Sequence, residues 1–445
     1  MTTATSNELL ESPVLKSAIS KATRRLMPML VILYVVAFLD RTNVGFAESG
    51  LEADRGVGAG AFALGAGIFF IGYAIFEIPS NLALRRFGAK VWLARIAITW
   101  GVVAACFALV QGETSFVALR FLLGVTEAGL FPGVIMYLAA WFPNKVRVRL
   151  FAIFYLAQPF SQMIGGPLSG WLISIGEDLG GIQGWQLMFL VQGLLAVAAG
   201  VAAYFLLTNG PEEATFLTDE EKRALAEITS LEDAVKTETG PQGVLAALRH
   251  GKVWYFTVIY FCLQVAVYGV TFYLPQQVSS LTGQKVGLAV GLLVAVPWFF
   301  GIIACYLVGR AATTIRRRRV LGVVLFLSTG LCVFGSAWAG TNHQPALGIV
   351  FITLAVCSFL AVGPVTWSYP AAFLTGAAAA AGIGLINSLG NLGGFVAPLL
   401  RTGINRVFTS ETGSAGIYAL GVLPFLAALM MFLTRWFRNK ADDLL

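Results

Sequence analysis

Four charged residues lie inside stretches that are otherwise apolar, and their types could do chemistry together. They are Asp40 and Arg41 in one apolar stretch and Arg120 and Glu127 in another. A charge inside a lipid bilayer costs roughly 3 kcal/mol or more unless it is paired or lines a watery cavity, so such residues usually mark the path of an ion or substrate. Arginine offers a planar fork for a carboxylate, whereas a buried carboxylate can carry a proton. The four residues therefore predict a site for an organic anion and a coupling proton.

The composition of the whole chain is that of a polytopic membrane protein. Of its 445 residues, 57% are hydrophobic and 12% are charged, and the mean hydropathy is +0.78, whereas a soluble domain carries roughly 25% charged residues. A helix needs about 20 apolar residues to cross a bilayer. By this length the sequence predicts an all-α membrane protein with twelve transmembrane helices, at residues 26–47, 60–82, 91–111, 116–141, 150–173, 186–208, 252–275, 286–309, 320–340, 344–368, 379–401 and 416–436.

A polar segment rich in Glu and Lys divides these spans into two groups of six. Thr218 and Asp219 are suited to begin a surface helix within it. Residues 152–172 and 382–402 share polar residues, a Gly-Gly pair and a proline, as duplicated transporter halves do, although Gly and Pro are common in membrane helices. The predicted parts are a cytosolic tail at 1–25, a six-helix bundle at 26–208, a cytosolic linker at 209–251, a second six-helix bundle at 252–437 and a cytosolic tail at 438–445.

The basic residues are distributed as a membrane topology requires. Lys and Arg precede the first predicted span and recur in alternate connections, as at Arg85, Arg86 and Arg316 to Arg319, while the connections between them carry Glu and Asp. The positive-inside rule then predicts that both termini lie in the cytosol, in a bacterial cytoplasmic (inner) membrane. The net charge of +7 is thereby explained without a nucleic-acid partner.

The depths of the four charges bring them to one region. With a rise of 1.5 Å per residue, Asp40 lies roughly 12 Å below one surface of the hydrocarbon core, and Arg120 and Glu127 lie roughly 6 and 16 Å below the same surface. Arg120 and Glu127 are seven positions apart and so share a helix face. A purely structural salt bridge is the alternative interpretation of these charges.

Further polar side chains recur in pairs four residues apart, and each pair shares a helix face. The pairs are Tyr73 with Glu77, Gln158 with Gln162, Gln264 with Tyr268, and Asn387 with Asn391. Hydrogen bonding between helices would explain any single pair. No Asp or Glu occurs between Glu238 and Glu411, so side chains that carry protons must lie in the first half. The second half can offer only neutral contacts near the middle of the membrane, such as Gln264, Tyr268, Thr366, Trp367 and Asn387.

The sequence shows no pattern of a metal centre or an enzyme. The five cysteines lie inside predicted spans without metal-ligand spacing, and the two histidines lie at span edges or in loops. We find no nucleophile with a base at catalytic spacing, and the linker is too short for a catalytic or sensory domain. A channel is disfavoured, because duplicated halves around a charged site suit alternating access.

Four motifs resemble those of the major facilitator superfamily, and within it the anion:cation symporter family of tartrate, sugar-acid, phthalate and hydroxyphenylacetate permeases. They are FLDRTNVGFA at 38–47, EIPSNLALRRFGAKVWLAR at 77–95, RFLLGVTEAGLFPG at 120–133 and AAAAAGIGLINSLGNLGGFVAPLL at 377–400. The resemblance implies two pseudo-symmetric six-helix bundles, with Asp40 and Glu127 as protonation sites. Arg41 would shape the cavity, and Arg120 would bind the substrate carboxylate.

The resemblance also implies that Tyr73, Gln158, Trp367 and Asn387 line the central cavity. The sequence departs from the superfamily pattern at two places, and both concern contacts expected to gate the transporter. Ala83 and Leu84 stand before Arg85 where the general superfamily motif includes an Asp, and the loop between the tenth and eleventh spans lacks basic charge.

The predicted function is proton-coupled symport of a small organic anion by alternating access, by a monomer in the lipid bilayer, with the proton as coupling ion and no cofactor. The candidate substrate-binding residues are Arg41, Arg120, Tyr73, Gln158, Gln264, Thr366, Trp367 and Asn387. A hydroxylated acid such as tartrate or a sugar acid fits the Gln, Asn and Tyr side chains, whereas Trp367, Phe69 and Phe160 could stack on an aromatic acid. An anion exchanger or facilitator is the alternative on the same fold.

Overall fold

A computed structural model describes residues 12–239, 249–373, 376–408 and 414–437. These ranges fold into helices, without a β-strand among them. The helices are α1 (Pro13–Thr42), α2 (Val44–Arg55), α3 (Ala59–Phe87), α4 (Ala89–Cys106), α5 (Glu113–Glu127), α6 (Leu130–Trp141), α7 (Asn144–Tyr155), α8 (Ala157–Leu179), α9 (Gly184–Leu206), α10 (Asp219–Thr239), α11 (Gly251–Thr271), α12 (Leu274–Thr282), α13 (Leu288–Ala311), α14 (Ile315–Thr341), α15 (Pro345–Phe373), α16 (Gly376–Asn391), α17 (Gly393–Val407) and α18 (Ala415–Leu433).

Eleven helical segments in the described ranges are long and apolar enough to cross a membrane. The predicted span at 150–173 is not among them. It corresponds to the end of α7 and most of α8. The Gln, Ser and Gly residues of α8 make that helix less apolar than the eleven candidate membrane-spanning segments. The all-α polytopic fold class is confirmed, with one of the predicted spans formed by a more polar helix.

Several spans are built from two helices that meet at a break inside the membrane. One break follows Glu127, the last residue of α5, and Gly129 occupies it with a φ of 91°. This left-handed conformation favours glycine, and a Cβ at Gly129 would contact the side chain of Ser80. A second break, at Asn43, separates α1 from α2. Both breaks lie within three residues of a buried charge.

The helices form two halves, α1–α9 and α11–α18, and the contacts between the halves are concentrated at one end of the molecule. We name as the terminal end the end at which α1 begins and α18 finishes, and the other as the opposite end. Towards the opposite end, α8 packs against α13, α2 against α12, and α3 against α17. The backbones of Gly166 and Gly291 are in contact there, and so are those of Gly170 and Gly287. The halves are therefore closed against each other at the opposite end.

Residues 13–25, predicted as part of a tail, form the first turns of α1. Leu15, Ala18 and Ala22 are buried at the spacing of one helix face, and α10 of the linker packs against this part of α1. The linker helix α10 begins at Asp219, as the capping residues Thr218 and Asp219 predict. Residues 1–11 and 438–445 of the predicted tails, and 240–248 of the predicted linker, lie outside the described residues.

The linker helix α10 is capped and anchored by Glu221. The Thr218 backbone N–H donates to Glu221 Oε2 at 2.9 Å, and the Glu221 N–H donates to Thr218 Oγ1 at 3.3 Å, which is a capping box. From α1, Ser17 Oγ donates to Glu221 Oε1 at 2.7 Å and Lys21 Nζ donates to Oε2 at 3.0 Å. One carboxylate thus both starts the linker helix and fastens it to the first half.

Candidate functional site

A cavity of about 50 Å³ lies between the two halves. At this volume it holds only a few water molecules, so an organic anion requires the side chains or the halves to move apart. Aromatic rings and neutral polar groups make up most of its wall. The lining residues are Tyr34, Phe38, Arg41, Phe69, Phe70, Tyr73, Leu130, Phe131, Tyr155, Gln158, Tyr260, Gln264, Tyr268, Asn387 and Asn391.

Arg41 is the only charged side chain among the described residues that line the cavity. Its Nη2 donates to Glu127 Oε1. Its guanidinium carbon lies 4.7 Å from the ring centre of Phe38, 5.1 Å from that of Phe69 and 5.4 Å from that of Tyr73. Cation–π contacts of this kind hold a guanidinium in place while leaving donors for a ligand.

Glu127 lies behind Arg41 as seen from the cavity. Its side chain is fully buried, and the wall of the cavity does not include it. One carboxylate oxygen pairs with Arg41, and the other, Oε2, has no hydrogen-bond partner among the described residues. Because an unpaired carboxylate oxygen is costly to bury, this site suits a carboxyl group that exchanges a proton.

Asp40 points into the first half instead of the cavity. Consecutive residues in a helix point about 100° apart, so Asp40 and Arg41 cannot both face the same space. The Asp40 side chain is buried, and its Oδ2 accepts a hydrogen bond from Trp100 Nε1 of α4 at 2.9 Å. Its Oδ1 has no partner in the described part of the chain.

A chain of polar side chains lies one turn from Asp40. Asn43 Nδ2 donates to Gln192 Oε1 at 2.8 Å, and Gln192 Nε2 donates to Ser169 Oγ at 2.9 Å. These three residues belong to different spans of the first half. They make the interior around the break between α1 and α2 polar, which lowers the cost of a carboxylate at Asp40.

Arg120 is held inside the first half, at the interface of α3 and α5. It is 1% exposed, and its Nε and Nη2 donate to the carbonyl oxygens of Gly65 and Ala66 at 3.0 and 3.3 Å. Its guanidinium carbon lies 5.3 Å from the ring centre of Phe69, and Arg120 is not among the residues that line the cavity. Arg120 therefore does not line the cavity in this arrangement, whereas Arg41 does, and the substrate-binding role of Arg120 stays a prediction.

The neutral candidates divide into two groups. Tyr73, Gln158, Gln264 and Asn387 line the cavity. Thr366 and Trp367 do not: the Thr366 hydroxyl is buried and donates to the Val362 carbonyl oxygen, and Trp367 packs edge-on behind Tyr260, with ring centres 4.8 Å apart. Trp367 thus supports a lining ring.

The second half contributes a hydrogen-bonded amide row to the wall. Gln264 Nε2 donates to Asn391 Oδ1 at 2.7 Å, and Asn391 Nδ2 donates to Asn387 Oδ1 at 3.3 Å. The row joins α11 to α16 and presents donors and acceptors to the cavity. The second half supplies no carboxylate here, because its membrane core contains none, and its residues in the cavity wall are neutral.

Three lining tyrosines were absent from the predicted site. Tyr34 lies seven residues before Arg41, and Tyr260 lies four before Gln264, so each shares a helix face with a predicted residue. Tyr155 lies three residues before Gln158 within the predicted span 150–173, so it has the same signal. Helical spacing could have found all three, since a face that carries a site residue carries its neighbours as well.

Glu77 is a further buried carboxylate, and it connects the two halves. It is 8% exposed, and its Oε2 accepts a hydrogen bond from Ser388 Oγ of α16 at 2.9 Å. Tyr73, one turn before Glu77, and Asn387, next to Ser388, both line the cavity. This bond therefore lies beside the cavity, where α3 of the first half meets α16 of the second.

The comparisons with known proteins agree with this architecture. Residues 30–398 match the family described as the Major Facilitator Superfamily. The chain is 38% identical to the "Inner membrane transport protein RhmT" of Escherichia coli, over 97% of this chain and 99% of that protein. It is 41% identical to a "Putative tartrate transporter" of Agrobacterium vitis, over 96% of this chain and 92% of the relative.

Solved structures give the same fold. The crystal structure of a D-xylose-proton symporter superposes with a TM-score of 0.72, covering 92% of this chain and 97% of the other, at 16% identity. At that identity the likeness concerns the fold alone. The family match and the two relatives confirm the resemblance that the four motifs indicated.

Proposed function

Because the chain belongs to the Major Facilitator Superfamily, a family of membrane transporters and not of enzymes, we propose that it is a secondary active transporter of a small organic anion. The proposed reaction is symport of the anion with protons by alternating access. The proposed substrate is a hydroxylated carboxylate such as tartrate or a sugar acid. No cofactor takes part, and the coupling ion is H⁺.

The single observation that carries this proposal is the pair of Arg41 and Glu127 at the cavity wall. Arg41 is the only cationic residue among the described residues that line the cavity. It donates a hydrogen bond to Glu127, which lies behind the cavity wall. A substrate carboxylate and the Glu127 carboxylate are thus competitors for one guanidinium. Protonation of Glu127 removes the competition, so that Arg41 can turn its donors to the substrate.

Charge balance explains why a proton should accompany the anion. The Arg41–Glu127 pair is neutral, and adding a carboxylate to it would leave one net negative charge in a membrane core. Such a charge is expensive in that environment. With Glu127 protonated, Arg41 and the substrate carboxylate form the neutral pair instead, and the cost of closing the cavity falls.

Asp40 is the proposed second proton carrier. It has no cation within ion-pair distance among the described residues, and only one of its oxygens has a hydrogen-bond partner. Asp40 does not line the cavity, but it is next to Arg41 in α1. A change in the charge of Asp40 therefore alters the electrostatic potential at Arg41. A dicarboxylate such as tartrate would then move with two protons as an electroneutral set.

The neutral part of the wall supports a hydroxylated substrate. Gln158, Gln264 and the two asparagines of α16 offer paired donors and acceptors that match hydroxyl groups. The relative named as a tartrate transporter supports the same choice. Trp367 stands behind the wall, and Phe160 is exposed and not part of it.

An aromatic acid is the alternative substrate. The rings of Tyr34, Phe131, Tyr155, Tyr260 and Tyr268 line the cavity, and aromatic rings pack well against one another at offset or edge-on angles. A screen of organic acids by thermal shift would distinguish the two classes, because a ligand stabilises the native state that binds it. Tartrate and aldonates should raise the melting temperature more than benzoate or hydroxyphenylacetate do.

We place the protein in a bacterial inner membrane with both termini in the cytosol, acting as a monomer. The distribution of Lys and Arg supports this orientation, and a relative named as an inner membrane transport protein supports the location. With the halves closed at the opposite end, the cavity would then communicate with the cytosolic side. Reopening to the outside would require the contacts of α8 with α13 to separate.

The test uses purified protein in proteoliposomes with an imposed proton gradient. Wild type should concentrate the substrate, and Glu127→Gln should still exchange substrate for substrate but fail to concentrate it. Arg41→Gln should lose both activities because it lacks the anion contact. Uphill transport by Glu127→Gln would overturn the coupling role, and substrate exchange without proton uptake by wild type would favour the exchanger.

A further inference from the structure

Five arginines lie at the terminal end of the second half, and two of them, Arg316 and Arg317, line a groove. Arg310 lies in the last turn of α13, and Arg316 to Arg319 occupy the first turn and a half of α14. The groove has a volume of 580 Å³, and its wall is formed by Ala311, Thr314, Arg316, Arg317, Val320 and Leu321. Arg310, Arg316 and Arg317 are exposed. The groove therefore combines a cationic rim with an apolar floor.

The described protein provides no counter-charge for this cluster. The ion pairs in the described ranges involve none of the five arginines, and no Asp or Glu occurs in the sequence from 239 to 410. Arg310 donates to the Tyr306 hydroxyl at 3.3 Å, Arg317 to Thr313 Oγ1 at 3.2 Å and Arg318 to the Ala312 carbonyl oxygen at 3.0 Å. All three acceptors are neutral.

The corresponding connection of the first half differs in this respect. There the Lys90 backbone N–H donates to Asn209 Oδ1 at 3.1 Å, and Asn209 Nδ2 donates to Glu213 at 3.0 Å. A carboxylate of the linker is thus connected through Asn209 to the backbone of Lys90, a basic residue in the first turn of α4. The basic connection between α13 and α14 lacks such a neighbour among the described residues.

The surface next to the groove suits hydrocarbon chains. Leu307 of α13 is 58% exposed and Val324 of α14 is 54% exposed. Leu307 lies three residues before Arg310 and Val324 lies seven residues after Arg317, both towards the membrane interior. In a membrane protein, side chains of this kind face lipid. The cationic rim is thus at head-group height and the apolar surface continues at acyl-chain height.

We propose that this groove binds an anionic phospholipid, with its phosphate held by Arg316 and Arg317. The planar guanidinium matches phosphate oxygens in a bidentate geometry, and the first turn of α14 adds the positive end of a helix dipole. Two acyl chains lie along Val320, Val324 and Leu307. The site is independent of the transported anion, because it lies on the lipid-facing surface of α13 and α14 and not at the central cavity.

The test compares phosphatidylglycerol with phosphatidylcholine, each at one part in four in phosphatidylethanolamine nanodiscs. Wild type should melt at a higher temperature with phosphatidylglycerol and should retain it during delipidation followed by native mass spectrometry. The double variant Arg316→Gln/Arg317→Gln should lose that difference. Because one basic residue near an anionic surface contributes about five-fold in affinity, the pair should weaken retention by roughly 30-fold.

The matched control is Arg24→Gln/Arg25→Gln, which removes two exposed charges at the same end of the molecule. It should retain phosphatidylglycerol as wild type does. An equal loss in this control would mean general surface attraction and would overturn the site. The proposed site would also be overturned if inorganic phosphate stabilised wild type as much as phosphatidylglycerol does. The same holds if wild type did not distinguish phosphatidylglycerol from phosphatidylcholine.

Discussion

Arg41 donates a hydrogen bond to Glu127, and this pair separates the central cavity from the interior of the first half. The guanidinium faces the cavity within a set of three aromatic rings, while the carboxylate is wholly buried. The position that meets a ligand and the position that can hold a proton are thus directly bonded. A change in the charge of Glu127 must alter the donors that Arg41 offers.

The two buried arginines should behave differently when they are truncated. Arg120→Ala removes two hydrogen bonds from a charged donor to backbone carbonyls and should lower the free energy of unfolding by about 3 kcal/mol. Arg41→Ala should abolish substrate binding, whereas Arg120→Ala should leave the cationic group of the cavity wall in place. Thermal unfolding and ligand titration of the same preparations would measure both. If Arg120→Ala were stable but did not bind substrate, Arg120 would be the residue that binds the substrate carboxylate.

The bond between Glu77 and Ser388 should couple the two halves energetically. Glu77→Ala and Ser388→Ala each remove it, so the double variant should lose less stability than the sum of the two single variants. Coupling between membrane helices of this kind averages about 0.6 kcal/mol. Glu77→Gln keeps an acceptor for Ser388 and is the matched control. Strict additivity of the two Ala variants would show that the bond contributes nothing.

The close approach of Gly166 and Gly291 should be needed for closure at the opposite end. A side chain at Gly291 would collide with the backbone of Gly166 and Pro167, so Gly291→Val should disfavour the closed state by about 1–3 kcal/mol. Spin labels at Glu52 and Lys285, which are exposed at that end, should report longer distances. Gly309→Val on the same helix has open space around it and should leave the distances unchanged.

The anchoring of the linker helix to α1 should weaken at acid pH. Lys21 and the hydrogen bonds from Thr218 and Ser17 lower the pKa of Glu221 to about 2, against roughly 4.3 for a free glutamate. Because the pKa in the docked state is depressed, the stabilisation is complete above about pH 4.3 and is lost as the pH falls towards 2. Spin labels at Ser20 and Arg223 should separate in that range.

Glu221→Gln should mimic the acid state of the linker at neutral pH. The amide keeps an acceptor for Ser17 and Thr218 but loses the ion pair with Lys21, so the labels at Ser20 and Arg223 should be farther apart at pH 7. Glu220→Gln, at an exposed neighbouring position, is the control. Identical distances in Glu221→Gln and wild type at every pH would contradict an electrostatic anchor.

Much of the fold follows from local patterns that act over one helix. Apolar length predicted the spans, the capping residues Thr218 and Asp219 predicted where the linker helix begins, and family motifs predicted the pairing of two bundles. The helical start of α1 was missed because Leu15, Ala18 and Ala22 are too few apolar residues to be recognised as a span. Their burial depends on α10, which lies about 200 residues later in the chain.

The residue types and their positions along the chain require that the four charges be paired or placed beside water, since no other state is tolerable in a bilayer. They also restrict carboxylates at membrane depth to the first half. Which of the four charges faces the cavity depends on how the helices pack. Asp40 and Arg41 point 100° apart by helix geometry, but which of the two directions meets the second half depends on the packing of α1. The same packing buries Arg120 against α3, leaves Arg41 at the cavity and places Glu127 behind it.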